Sequence, residues 1–224
     1  MPQIPRMALI AALVTAYPLQ AEDRLSIDIY AIPSPSIVDA VTEASVDLAA
    51  RGMTTFHAQG HPAHVTLYLT QYPASAAPAL KAAVAKAAKA CRSFPLTVTG
   101  LQRTASNWLF LKVERSAPLQ RLADEMTLAA EPLRSHDLAP PSWMKEYPAK
   151  LPAFERYGSP NVFMQFDPHL TLLANEATPD LGKYMADVAS RPPRAEGGVT
   201  GIGLGIVDAN GQLVRTLAEY RCKA

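Results

Sequence analysis

A four-residue pattern, His-x-Thr-Leu, occurs twice in this chain, as "HVTL" at residues 64–67 and as "HLTL" at residues 169–172. Each copy follows a proline-containing turn and begins a short run of alternating side chains, which predicts a β-strand. Side chains two positions apart share one face of a strand, so each histidine lies beside its threonine while the residues between them enter a core. The fold must therefore accommodate two similar strands that start 105 residues apart.

The segments around the two motifs follow the same order, which indicates an internal duplication. A motif strand, a helix and a hairpin are predicted over residues 64–114 and again over residues 169–220. A predicted strand and helix also precede each motif. We therefore predict an α+β fold for residues 22–224, a single domain of two pseudo-symmetric lobes. Each lobe is expected to be an antiparallel sheet with helices on its outer face, and the motif strands should face each other across a cleft between the lobes.

The first 21 residues have the pattern of a secretory signal peptide, with Arg6 before an apolar run from Met7 to Tyr17 and small residues ending at Ala21. A buried helix is the alternative interpretation. A signal peptide over residues 1–21 predicts a secreted or periplasmic protein. No other segment approaches the length of a transmembrane helix, so we expect no membrane association.

The charge balance does not indicate a nucleic-acid partner. Lys and Arg total 21 and Asp and Glu total 20, which gives a formal net charge of +1 and no global basic field. Charge therefore gives no argument for a nucleic-acid partner, whereas a small or short substrate remains possible. Nothing in the sequence indicates a protein partner, and we expect a monomer.

The chain has two cysteines, Cys91 and Cys222. In an oxidising compartment an even pair often forms a disulfide, which here would join the end of a predicted helix to the C-terminal strand. Two separate buried thiols are the alternative, and the sequence leaves both open.

Two imidazoles and two hydroxyls around one cleft suit phosphoryl transfer without a metal. An imidazole titrates near ~6.5, so at neutral pH one ring can be neutral while the other is protonated. The neutral ring takes a proton from the attacking water, and the charged ring gives a proton to the leaving oxygen. We therefore predict that His64 and His169 are catalytic, that Thr66 and Thr171 donate hydrogen bonds to phosphate oxygens, and that no metal or cofactor takes part.

At these residues the chain resembles the two-histidine (2H) phosphoesterase superfamily. That superfamily includes bacterial 2′-5′ RNA ligase-like proteins and 2′,3′-cyclic nucleotide phosphodiesterases, and its signature is two His-x-Thr/Ser motifs on two pseudo-symmetric lobes. The resemblance implies metal-independent hydrolysis of a phosphodiester, often a 2′,3′-cyclic phosphate, in a small nucleotide or a short RNA end. A 2′-5′ RNA ligase-type activity is an alternative, because the same acid and base serve both directions. A nucleotide-binding module without turnover is another.

Two residues outside the motifs are candidates for substrate binding. Residues 134–162 are rich in proline and aromatic residues and show no period, and long segments of this kind are often functional or mobile. An aromatic ring from this segment, preferably that of Tyr157, could stack on a nucleobase, although such rings more often pack against the core. The other candidate is His61, which we expect near the mouth of the cleft.

Three histidines within eight residues, His57, His61 and His64, suggest a zinc site as a rival interpretation. Gly60 and Pro62 lie between them and interrupt any helix or strand that would set the spacing of the ligands. A zinc site here would also leave His169 without a role. We therefore favour the metal-free interpretation.

Overall fold

The computed structural model describes residues 23–223, so the predicted signal peptide lies outside the described residues. The strands are β1 (Arg24–Pro33), β2 (Val65–Pro73), β3 (Phe94–Arg103), β4 (Leu109–Val113), β5 (His169–Leu173), β6 (Ala195–Val207) and β7 (Leu213–Arg221). The α-helices are α1 (Pro35–Ala49), α2 (Ala77–Ala90), α3 (Ala117–Ala130), α4 (Leu151–Tyr157) and α5 (Pro179–Asp187). None of these helices is long and apolar enough to cross a membrane. The predicted α+β class is confirmed.

The strands form one antiparallel sheet in the order β2-β1-β6-β3-β4-β5, with β7 also paired to β6. Strand β6 joins the two halves, because residues 195–199 pair with β3 and residues 201–207 pair with β7. The motif strands β2 and β5 stand at opposite ends of this order, yet their Cα atoms come within 8 Å of each other. The sheet therefore curves until its two edges, and with them the two motifs, meet.

Each motif strand pairs with the strand that precedes it in sequence, β2 with β1 and β5 with β4. The hairpin that follows each motif joins the other half of the sheet. Strand β4 of the first hairpin pairs with β5, and strand β6 of the second pairs with β1. The predicted order of elements is present, but a lobe is not one continuous segment of chain.

Helix α1 shows how local sequence signals set the elements. Ser34 stands at the N-cap position with extended backbone, and Pro35 occupies the first turn, where its missing N–H removes no hydrogen bond. Residues buried at helical spacing then face the sheet, among them Ile37, Val41 and Leu48. Gly52, with φ of +77°, follows the helix in the left-handed conformation that glycine adopts without strain.

The stretch 134–162 contains more regular structure than its composition predicts. Two 3₁₀ turns, Ser142–Glu146 and Pro148–Lys150, lead directly into the short helix α4. These elements were hidden in the sequence because each is shorter than the window over which a hydrophobic period becomes visible.

A disulfide joins Cys91 and Cys222, whose Cα atoms are 4.9 Å apart. Cys91 directly follows α2, and Cys222 directly follows β7. The main chain is tied at the same place, since the Lys223 N–H donates to the Cys91 carbonyl and the Ser93 N–H donates to the Lys223 carbonyl. Of the two alternatives left open by the sequence, the structure has the bridge.

Candidate active site

Both motifs line one cleft with a volume of about 730 Å³. The motif side chains on its wall are His64, Thr66, His169 and Thr171. The turn between β6 and β7 and parts of the 134–162 stretch complete the cleft. Two segments that are distant in sequence are thus brought to one cavity by the curvature of the sheet.

Alternation along the two strands aims these side chains at the cleft. Val65 and Leu67, which flank Thr66 on β2, are fully buried in the core. Leu170 and Leu172 flank Thr171 on β5 and are buried in the same core. Because successive side chains on a strand point to opposite faces, burying these apolar residues turns the polar partners outward.

The two imidazoles are held in the same way by the main chain. Nδ1 of His64 lies 2.9 Å from the carbonyl oxygen of Pro62, and Nδ1 of His169 lies 2.7 Å from the carbonyl oxygen of Asp167. A carbonyl oxygen can only accept a hydrogen bond, so Nδ1 carries the hydrogen in both rings. In the neutral form each ring therefore keeps a lone pair on Nε2, the atom that remains for proton transfer.

Burial lowers the pKa of both imidazoles, because it disfavours the charged form. The main-chain hydrogen bonds act in the opposite direction: those of Pro62 and Gly211 raise the pKa of His64, and that of Asp167 raises the pKa of His169. The pKa of His64 is also lowered by the positive charge that His169 carries when protonated. The two rings are thus close enough for the charge of His169 to act on His64.

The two threonines differ in their hydrogen bonding. Oγ1 of Thr66 donates to Oδ2 of Asp28 at 2.8 Å. The hydroxyl of Thr171 has no hydrogen-bond partner among residues 23–223. Of the two motif threonines, Thr171 is therefore the one with an uncommitted hydroxyl, whereas the sequence led us to expect the same role for both.

Tyr157 does not line the cleft. Its ring packs on the ring of Phe163, with centroids 4.7 Å apart, and the guanidinium of Arg156 lies 4.8 Å from its centroid. Its carbonyl oxygen accepts a hydrogen bond from the Tyr68 hydroxyl at 2.6 Å. The preference for Tyr157 as a stacking residue is therefore corrected, because helix α4 directs this ring toward the protein interior.

His61 lies beside the first motif but outside the main cleft. Its Nδ1 is 3.0 Å from the carbonyl oxygen of Leu213, and its ring meets Phe56 edge to face. It lines a small pocket with His57, and this pocket adjoins the cleft because His64, Thr171 and Gln212 line both. His61 is therefore placed to influence His64, and a contact between His61 and a substrate stays a prediction.

The three clustered histidines bind different partners. Nε2 of His57 is 3.0 Å from Oγ1 of Thr42 on α1, while His61 and His64 engage the carbonyls described above. Within the described part of the chain, no three His, Cys, Asp or Glu side chains are grouped so that they could hold a metal ion. The geometry gives no support to the zinc interpretation.

Sequence reasoning missed two residues at the cleft. Trp108 lines its wall, and Asp28 is buried under Thr66. The signal for Asp28 was present, since it is a charged residue between Ile27 and Ile29 in a strand that otherwise reads as core. Trp143, one of the aromatic residues of the 134–162 stretch from which a stacking ring was expected, also lines the wall. Which ring of that stretch reaches the cleft depends on how the stretch folds, and the sequence did not indicate it.

Comparisons with known proteins agree with this geometry. A model of the 2′-5′ RNA ligase superfamily matches residues 33–211. Comparison with curated proteins found no matching sequence.

Solved structures with the same fold show low sequence identity. TT0787 of Thermus thermophilus aligns with a TM-score of 0.59 and 17% identity, over 89% of this chain and 99% of that one. E. coli LigT in its apo form gives 0.56 and 16%, over 91% of this chain and 100% of LigT. E. coli LigT complexed with 3′-AMP gives 0.53 and 17%, over 90% and 100%. Because the family model spans most of the sequence, the chain belongs to the 2′-5′ RNA ligase superfamily, that of the 2H phosphoesterases.

Proposed function

We propose that this protein is a metal-independent phosphodiesterase that hydrolyses 2′,3′-cyclic nucleotides or related RNA-type phosphodiesters. One observation carries the proposal: His64 and His169 line the same cleft, each with Nδ1 anchored to the main chain and Nε2 left for proton transfer. Membership of the 2′-5′ RNA ligase superfamily supports it.

The reaction needs two proton transfers and one displacement. A water oxygen attacks phosphorus while its proton passes to the Nε2 lone pair of a neutral imidazole. The bond from phosphorus to the leaving oxygen breaks, and that oxygen takes a proton from the other, protonated imidazole. The Thr171 hydroxyl donates to a non-bridging oxygen as negative charge builds up there. One water is consumed, and the proton gained by one ring balances the proton lost by the other.

A small nucleotide is the substrate that fits the cleft best. Its volume of about 730 Å³ lies within the range of small-molecule sites. Trp108 and Trp143 offer indole rings on its wall, and Trp143 is 43% exposed. Stacking of a base on an aromatic ring contributes about 1–3 kcal/mol and tolerates any base. E. coli LigT, which shares this fold, has been solved as a complex with 3′-AMP.

A 2′-5′ RNA ligase-type activity is the second candidate, and the description of the matching family favours it. The same two imidazoles would then act in the reverse direction, on a free hydroxyl and a cyclic phosphate. Incubating RNA that ends in a 2′,3′-cyclic phosphate with RNA that carries a 5′-hydroxyl distinguishes the two. Hydrolysis opens the cyclic phosphate and leaves the RNA length unchanged, whereas ligation gives a longer product.

We also propose that the protein is exported. The pattern of residues 1–21 and the Cys91–Cys222 disulfide both support this, because disulfides persist in oxidising compartments. Mass spectrometry of the protein from fractionated cells tests the proposal. A chain starting near residue 22 in the exported fraction is expected, and a full-length chain confined to the cytoplasm would contradict it.

The proposed activity is tested with purified protein in EDTA on 2′,3′-cyclic mononucleotides and on 2′-5′ and 3′-5′ dinucleotides. We expect turnover to persist in EDTA and to fall by roughly 10²–10⁴-fold in His64→Ala and in His169→Ala. His57→Ala is the matched control, a neighbouring histidine bonded to Thr42 and absent from the cleft wall. Loss of wild-type turnover on chelation, or wild-type rates in either catalytic variant, would contradict the proposal.

A further inference from the structure

A fully buried carboxyl group, that of Asp28 on β1, lies beneath the first motif. Its Oδ2 accepts the hydrogen bond from Thr66 and lies 3.5 Å from Nε2 of His64. Its Oδ1 has no hydrogen-bond partner among the described residues. Within residues 23–223, no Lys or Arg forms an ion pair with it. Such a group is costly to bury, because a carboxyl loses its hydration and here regains only part of it.

The second motif has no buried carboxyl at the corresponding position among the described residues; the carboxylate that acts on His169 is that of Asp167, which is exposed and raises its pKa. In the strand ladders, Tyr30 stands opposite Thr66 and Phe110 stands opposite Thr171. Two residues earlier in the chain are Asp28, on β1, and Trp108, directly before β4. One difference between the surroundings of the two imidazoles is therefore a carboxylic acid on one side and an indole on the other.

We propose that Asp28 is a positioning residue for the first motif: it holds one proton jointly with His64, which makes His64 the proton donor and leaves His169 as the base. The catalytic roles of His64 and His169 in this proposal rest on the phosphodiesterase activity proposed above. The proton shared by Asp28 and His64 does not depend on that activity. Because Nδ1 of His64 already donates to Pro62, its Nε2 lone pair would face an ionised Asp28 if neither group were protonated. Lone pair and carboxylate repel each other, so one of the two atoms carries a proton.

Burial favours the uncharged form of both groups in this pair. It raises the pKa of the Asp28 carboxyl and lowers the pKa of the His64 imidazole. With one proton the pair has no net charge, whether the proton is on oxygen or on nitrogen; with none or two it carries a charge that a dry site disfavours. An anionic phosphodiester in the cleft favours the form with the proton on Nε2, from which it passes to the leaving oxygen.

Other titratable groups act on this pair from neighbouring elements. The side chains concerned are Tyr30, His61, Tyr72 and His169, with Glu219 accepting a hydrogen bond from the Tyr30 hydroxyl. Burial raises the pKa of both tyrosines, which therefore stay uncharged at neutral pH. A positive charge on His61 or His169 lowers the pKa of His64, whereas its hydrogen bonds to the main chain of Pro62 and Gly211 raise it.

The first experiment measures the shared proton without any substrate. The His64 ring is followed by NMR against pH in the wild-type protein and in Asp28→Asn, with His64→Gln to assign its signal. We expect the His64 pKa to fall in Asp28→Asn, because no carboxylate remains to stabilise the imidazolium. Thr127→Val is the matched control, a fully buried polar side chain on α3 whose hydroxyl bonds the Ala123 carbonyl, and it should leave that pKa unchanged.

The wild-type protein provides a measurement that does not depend on the variant folding. The carboxyl ¹³C signal of Asp28 should change at the same pH values as the His64 ring, since the two share their titration steps. An Asp28 carboxyl that titrates alone, in the range of ordinary aspartates, would overturn the proposal. So would an unchanged His64 pKa in a folded Asp28→Asn protein.

The second experiment follows kcat/KM against pH, which reports the acid and base of the free enzyme. In Asp28→Asn we expect a loss of about tenfold or more and a shift of the alkaline limb to lower pH, because His64 loses its proton earlier. Thr127→Val should change neither. A loss that is equal at every pH would assign Asp28 a structural role only. A wild-type protein without phosphodiesterase activity would refute the proposed function and leave the NMR result to stand by itself.

Discussion

The ring of Phe110 stacks on the imidazole of His169, with centroids 4.0 Å apart and planes inclined by 27°. This contact covers one face of the imidazole with an apolar surface, and burial is the largest cause of the lowered pKa of His169. The first motif has no such stack, since Tyr30 meets His64 edge to face at 5.6 Å. The two imidazoles thus share their backbone anchors but differ in both ring contacts and charged neighbours.

Replacing Phe110 with alanine should raise the pKa of His169, because water reaches the exposed ring face and stabilises the imidazolium. A base must be unprotonated, so the acidic limb of the kcat/KM profile should move to higher pH, with a loss of about tenfold at neutral pH. Leu109→Ala is the control, because Leu109 is fully buried and is the adjacent residue on the same strand. That variant should lose roughly 2–5 kcal/mol of stability and keep the limb in place. An acidic limb that stays fixed in Phe110→Ala would contradict the assignment.

Trp143 is predicted to bind the base and to take no part in the chemical step. Trp143→Ala should raise KM for cyclic mononucleotides about tenfold with little change in kcat, as expected for about 1–3 kcal/mol of stacking. Trp143→Phe should restore part of the loss. A cyclic phosphate that carries no base serves as the control substrate, and its kinetics should be the same in all three proteins. Equal losses on substrates with and without a base would exclude stacking.

The Cys91–Cys222 disulfide should stabilise the fold without affecting the chemistry. It links residues separated by 131 positions, and closing a loop of this size constrains the unfolded chain by roughly 4–5 kcal/mol in the chain-entropy description. Cys91→Ser with Cys222→Ser should therefore lower the melting temperature by roughly 8–20 °C. Turnover at 25 °C should persist, because neither sulfur lies at the cleft. Identical melting curves for the oxidised and reduced wild-type protein would show that the bridge contributes nothing.

Much of this architecture was predictable because its signals are local. The period-two strands, the Ser34–Pro35 helix start and the two motif strands follow from patterns within about ten residues. The exchange of hairpins between the two halves of the sheet could not be predicted in this way. It depends on β6, whose 13 residues pair with strands of both halves. Packing between distant segments decides which strands lie beside β6, and no short stretch of sequence indicates this choice.

At the candidate site, too, features set by local sequence could be predicted and features set by contacts between distant segments could not. The motif residues could be placed on one face from alternation alone, and the structure brings them to one cleft. Asp28 escaped notice because its role depends on the register between β1 and β2, which places it under Thr66 only after a bulge at Ile29 and Tyr30. Tyr157 was assigned the wrong environment because the seven-residue helix α4, which turns its ring inward, is too short to show a period.

Gly203 on β6 stands opposite Tyr30 in the ladder, and its missing side chain makes room for the tyrosine ring. A Cβ atom at this position would collide with Cζ and the neighbouring ring atoms of Tyr30. Gly203→Ala should therefore displace the ring that packs against His64, at a cost of about 1–3 kcal/mol in stability, and lower kcat/KM. Gly182→Ala is the control, since its Cβ would meet nothing closer than 3.8 Å and alanine is favoured in a helix.

Combining Gly203→Ala with Tyr30→Leu tests whether the collision with the Tyr30 ring is the cause. The two changes should be non-additive in thermal unfolding, because Tyr30→Leu removes the ring atoms with which the Cβ of Gly203→Ala collides. Strict additivity, or a Gly203→Ala protein as stable as wild type, would show that Tyr30 is not what this glycine accommodates.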